Sequence, residues 1–144
     1  DSKSGADLKS EARYVKAKSY LATSRRDEAY VILNELAKDM SSEFGAEAAY
    51  MLILDSYDKG NFEDVETKVY AFSDSGSTQT YWLAKSFVVL GDSFAERGEM
   101  VQAKATFESV RDGYTPSGDA DDVQEGVRIR LEKLQNMETE QNNQ

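Results

Sequence analysis

Cysteine and histidine are both absent from the 144 residues, and proline occurs once, at Pro116. Without cysteine there is no disulfide, no thiolate nucleophile and no cysteine-ligated zinc or iron-sulfur centre. Without histidine the usual general base near neutral pH and the commonest metal ligand are missing, which argues against an enzyme. Basic residues are also in deficit: 17 lysines and arginines stand against 27 acidic groups, a formal net charge of -10. Such a chain repels a phosphate backbone, and no basic run offers a local exception, so nucleic acid is not an expected partner. No apolar run approaches the roughly 18 residues of a membrane span, so no transmembrane segment is expected. No glycine loop of the phosphate-cradling kind occurs, so a nucleotide is not expected, and with no cysteine, no histidine and no calcium-loop spacing neither a metal nor another cofactor is expected. The chain begins at Asp1 rather than Met. That reads as a processed protein or an excised fragment, with the fragment favoured.

What is present is a balance of 40% hydrophobic and 31% charged residues, which fits one domain with a continuous core. A single proline, with glycines near the ends of helix-length segments, predicts an all-α chain. Aligning the chain with itself lays Glu11-Ala12-Arg13-Tyr14 over Glu47-Ala48-Ala49-Tyr50, with Leu33 on Val69, at a shift of 36. A further shift of 38 lays Leu52 on Leu90, Gly60 on Gly98, Val65 on Ala103 and Val69 on Phe107. Seven helices follow from this reading. Three pairs run over Asp7 to Ser24 and Asp27 to Met40, Ser42 to Lys59 and Phe62 to Ser73, and Thr78 to Arg97 and Met100 to Tyr114. A capping helix covers Asp119 to Met137, where Val123, Val127, Leu131 and Leu134 form one stripe. Gly60 and Gly98 suit the left-handed conformation that closes a helix, Asn61 or Glu99 starts the next, and Ser41 or Ser42, Ser77 and Asp119 are the natural N-caps. The tails, Asp1 to Ala6 and Glu138 to Gln144, carry no apolar pattern and read as mobile.

The stretch Leu90-Gly91-Asp92-Ser93-Phe94 through Gly98 to Ala103 and Phe107 places a small residue, an aromatic, a turn glycine, an alanine and a second aromatic at the offsets of a packed helical hairpin. It resembles a tetratricopeptide repeat (TPR) unit, and the resemblance extends over roughly residues 10–116. The repeats are about 10–41, 46–76 and 84–116, with the capping helix at about 119–137. The small residue where paired helices touch matches Gly91 and Ala17, with Ile53 departing from the pattern. The aromatic matches Tyr20 and Phe94, with Ser56 in its place in the second unit. The alanine of the second helix matches Ala29 and Ala103, replaced by Val65, and the late bulky position matches Leu33, Val69 and Phe107. The resemblance implies a TPR-like solenoid of three repeats plus a cap, whose first helices line a concave face.

On that face fall Tyr14, Lys18 and Leu21, then Tyr50, Leu54, Tyr57 and Asp58, then Lys85, Asp92 and Glu96, along with Glu11 and Glu47. Tyrosines give rigid contact area with a polar tip, and the acids favour basic residues on a bound protein segment. The expected function is therefore a non-enzymatic protein-protein interaction scaffold. The plain alternative is that these tyrosines pack between helices and the acids are solvated. Two other functions stay open: an architectural terminal segment whose neighbours are further repeats of a longer parent chain, and a carbohydrate-handling helical envelope protein using Trp82. Asp119-Ala120-Asp121-Asp122 lacks the ligand spacing of a calcium loop and reads as a capped helix start. The wording of the third unit, Leu-Gly-Asp with Gly113-Tyr114-Thr115-Pro116, is similar to TPR proteins of the Gram-negative cell envelope, which implies a periplasmic or outer-membrane-associated setting.

Overall fold

The computed structural model describes residues 5–116 and 121–143. Among the described residues there are seven α-helices and no strand: α1 (Gly5–Ala22), α2 (Arg26–Leu36), α3 (Glu43–Asp58), α4 (Phe62–Asp74), α5 (Thr80–Glu96), α6 (Met100–Gly113) and α7 (Asp122–Asn142). The all-α expectation holds, with several boundaries moved. The segment 5–6, read as tail, is already helical, and α7 continues beyond Met137 to Asn142. The proposed N-cap Asp119 lies outside the described residues. Asp121 takes the role, its side chain accepting from the Val123 N–H at 3.0 Å.

The chain divides into two compact units, Asp1–Leu83 and Ala84–Gln144, with α5 running across the division. In the first unit α1 packs on α2, α2 on α3 and α3 on α4, and α1 also reaches α3. Ala17, Leu33, Leu36 and Ala48 form a buried cluster with Tyr14, Tyr30, Met51 and Leu52 around it. In the second unit α6 packs on α7, and Gly91 of α5 sits against the Phe107 ring of α6. Val123, Val127 and Leu134 of α7 are buried, as the apolar stripe required.

The three turns that join α1 to α2, α3 to α4 and α5 to α6 share one geometry. Ser24, Gly60 and Gly98 have φ of 62°, 74° and 75°. The next residues, Arg25, Asn61 and Glu99, have φ/ψ of -95°/58°, -89°/75° and -89°/70°. Their N–H groups reach back to the carbonyls of Tyr20 (2.7 Å), Ser56 (2.9 Å) and Phe94 (2.9 Å), closing each first helix with the same long bond. Of the residues expected to start the second helices, Asn61 caps α4 through its side chain and Glu99 makes no side-chain cap. Ser24 is a non-glycine residue in a conformation that strains an L side chain. Ser24→Gly should therefore raise stability by about 0.5–1 kcal/mol in urea unfolding, the relief outweighing the extra flexibility glycine gives the unfolded chain.

The turn from α2 to α3 is tighter than the sequence suggested. Ser42 caps α3 as expected, accepting from the Gly45 N–H at 3.0 Å. But α2 stops at Leu36, not Met40, and the chain continues in short turns with Lys38 and Asp39 donating to the carbonyls of Glu35 (3.3 Å) and Leu36 (3.2 Å). The cause is Gly45, where an added Cβ would lie 1.8 Å from the Asp39 carbonyl oxygen and 2.7 Å from that of Leu36. The α3 backbone crosses the end of α2 too closely for α2 to run on. Ser77, expected to cap α5, instead donates to the Met40 carbonyl and accepts from the Gln79 N–H at 3.1 Å, tying the loop before α5 to the loop before α3.

Candidate functional site

The predicted face is built from α1 and α3, which the core pairing of Ala17 with Ala48 sets side by side. The Tyr14 ring lies 5.2 Å from Phe44 at an interplanar angle of 39°, and the Tyr50 ring lies 5.5 Å from Trp82 at 38°. Tyr14 maps onto Tyr50 by the shift of 36 and Phe44 onto Trp82 by the shift of 38, so one aromatic contact is repeated in register. Tyr57 continues the line, 5.8 Å from Phe62, and Tyr81 meets Trp82 edge-on at 4.9 Å. Such tilted pairs add roughly 0.5–1.5 kcal/mol each beyond the area they bury. All three tyrosines are half-buried, so each gives one side to a neighbouring helix and keeps the other open. Lys18 is exposed with Nζ 5.2 Å from the Tyr14 centroid, Leu21 and Leu54 are half-buried, and Asp58 is exposed. A shallow recess of about 360 Å³ opens beside Phe44, lined also by Asp7, Ser41, Ser42, Glu43 and Gln79.

Two polar clusters on the first unit were not foreseen. Asp55 of α3 is ion-paired with Arg26 of α2 and, at 2.9 Å, with Lys59. Burial alone would raise its carboxyl above the ordinary value, but the hydrogen bonds from Lys59 and Arg26 outweigh it and hold the group low. The Arg26 guanidinium also lies over Tyr30 at 4.8 Å, and Tyr30 is held above the ordinary phenol range chiefly by burial. The second cluster occupies the position where the repeat pattern has an aromatic. Ser56 is buried, donates to Asp64 at 2.6 Å and accepts from the Lys68 ammonium at 2.8 Å, while Lys68 and Asp64 pair at 2.6 Å. Hydrogen bonds from Lys68 and then Ser56 hold the Asp64 carboxyl low. Lys68 thus reaches both the carboxylate and the hydroxyl, and the trio forms a polar plug in the second hairpin. The spacing Asp64 to Lys68, one helical turn, was the available signal.

In the second unit two of the predicted residues, Asp92 and Lys85, are engaged by α7. Arg130 clasps Asp92 through two bonds, Nε to Oδ1 at 2.7 Å and Nη2 to Oδ2 at 3.0 Å. Lys85 pairs with Asp122 at 3.0 Å, and Glu96 is exposed near the end of α5. The candidate face therefore gathers Tyr14, Lys18, Leu21, Tyr50, Leu54, Tyr57 and Asp58 on the first unit. Asp92 and Lys85 hold the seventh helix to the fifth.

Among the described residues no group of three or more acidic side chains could hold a metal ion, and no helix is long and apolar enough to cross a membrane. No family model, curated protein or solved structure matches the chain.

Proposed function

We propose that the chain is a TPR-like scaffold without catalytic activity that holds an extended protein segment on the α1–α3 face. The observation that carries the reading is the aromatic contact Tyr14–Phe44 repeated as Tyr50–Trp82, on helices closed by turns of one geometry. A repeat of this kind sets successive first helices in parallel and lines their half-buried tyrosines along one surface, which is what an extended ligand needs. The packing of α1 on α2, α2 on α3 and α1 on α3 supports the same arrangement. Glu47, Asp58 and the recess beside Asp7 and Glu43 bias the surface toward lysine- or arginine-bearing segments. The resemblance of the third unit to envelope TPR proteins supports a periplasmic setting.

The test is a peptide array followed by calorimetry on the captured sequences. Tyr50→Ala with Tyr57→Ala should weaken binding at least tenfold while circular dichroism stays helical, since truncating a central aromatic anchor typically costs about 2 kcal/mol or more. Unchanged affinity in that folded double variant would sink the face.

A further inference from the structure

The outer side of α1 carries an apolar stripe, Leu8, Ala12 and Val15, at helical spacing. Leu8 is 54% exposed and Val15 61%, and α1 buries only Ala17. Adding 36 to these three positions gives Phe44, Ala48 and Met51. Those are residues by which α3 seats itself on the preceding hairpin: Ala48 is in the buried cluster with Ala17 and Leu33, Met51 packs against that cluster, and Phe44 meets Tyr14. At the next position along, Trp82 takes the place of Phe44 and meets Tyr50. The stripe on α1 is thus the same docking surface one repeat earlier, with nothing among the described residues seated on it.

Resting on the repeat reading above, we infer that this stripe is the seat of a further helical hairpin of the same kind, an acidic amphipathic helix pair whose first helix presents an aromatic over Leu8 as Tyr14 does over Phe44. Charge supports an acidic occupant. α1 carries Lys9, Arg13, Lys16 and Lys18 against Asp7 and Glu11 and is the basic helix of an acidic chain. The α3–α4 hairpin, by contrast, has only Lys59 and Lys68 against eight acidic groups: Glu43, Glu47, Asp55 and Asp58 on α3, and Glu63, Asp64, Glu66 and Asp74 on α4. A second copy of the chain is a poor occupant. Two such stripes face to face would bring two net-basic helices together, and the α5–α6 hairpin already carries α7, which packs on α6 and is clasped to α5 through Asp92.

The junction offers a direct test. The turn before α3 demands glycine at Gly45, and the residue 36 earlier is Lys9, whereas the longer turn before α5 places Leu83 at the matching position. A docked hairpin should therefore use the longer spacing. Residues 41–78 fused directly ahead of Gly5 reproduce it and bring a copy of Tyr50 over Leu8. The fused chain is expected to melt about 5 °C or more above the parent. Val15→Glu should abolish that gain in the fusion while leaving the parent within about 1 °C, because Val15 is exposed there. If the first fusion does not fold, residues 41–76 fused ahead with Lys9→Gly in the receiving helix repeat the test with the same acidic hairpin at the shorter spacing. No gain from either fusion, a gain that survives Val15→Glu, or sedimentation showing the parent chain self-associating through Leu8 would overturn the inference. Peptide capture by the Tyr50–Tyr57 face is read separately, so loss of the stacking result alone leaves the groove standing.

Discussion

Gly45→Ala should destabilise the first unit by about 3 kcal/mol or more, at or beyond the upper end of ordinary overpacking, because what it meets cannot step aside. The new Cβ would lie 1.8 Å from the Asp39 carbonyl oxygen, 2.8 Å from its carbon and 2.7 Å from the Leu36 carbonyl oxygen. All three are backbone atoms at the end of α2, where the chain is pinned by the Ser42 cap and by the Asp39 side chain accepting from the Ser41 N–H at 3.2 Å. Relief requires α3 to move off α2, which opens the cluster around Leu36 and Ala48. Gly5→Ala is the matched control: nothing lies within 4 Å of its added Cβ, and the effect should be close to zero. Urea unfolding of the two variants separates the cases. A loss under about 1 kcal/mol for Gly45→Ala would mean that α2 and α3 do not cross this closely.

That glycine also marks the limit of what could be read from sequence. Gly60 and Gly98 stood between two apolar runs, where a left-handed turn is the ordinary reason for glycine, and both have positive φ. Ser24 makes the same turn with no such signal, and only the shift of 36 that lays it under Gly60 points to it. Gly45 sits inside a helix, where sequence alone counts a glycine as a local weakness. Its reason is the path of a loop six residues earlier. The core was readable for the same cause as the turns: Ala17, Leu33, Ala103 and Phe107, picked out by spacing, are all buried. The candidate face was readable only in outline. Position placed Tyr14, Tyr50 and Tyr57 on helices, and they lie half-buried on α1 and α3, but whether Asp92 faces a ligand or a neighbour depends on Arg130, thirty-eight residues away, and no local pattern carries that. The same holds for Asp55, whose partner Arg26 comes from the preceding hairpin.

Gly91 exposes a rule of the hairpin interior that sequence stated only in part. Where the first helix has Gly91, the second has Phe107; where it has Ala17, the second has Leu33; where it has Ile53, the second has Val69. All six are buried. The larger the residue on the first helix, the smaller its counterpart, as close packing of a fixed helix separation demands. Ile53, a departure from the repeat pattern, is thus balanced by Val69. A Cβ on Gly91 would lie 2.3 Å from Cε1 and 2.7 Å from Cδ1 of Phe107, a ring that is itself buried at 1% exposure. Gly91→Ala alone should therefore cost about 2–3 kcal/mol, and Phe107→Leu alone about 1–2 kcal/mol for the space it leaves. The double variant recreates the Ala17 and Leu33 combination of the first hairpin and should be more stable than Gly91→Ala, with a favourable coupling above about 1 kcal/mol in a double-mutant cycle. Additive losses would show that the two residues do not share one space, and the size-exchange rule would fall with them.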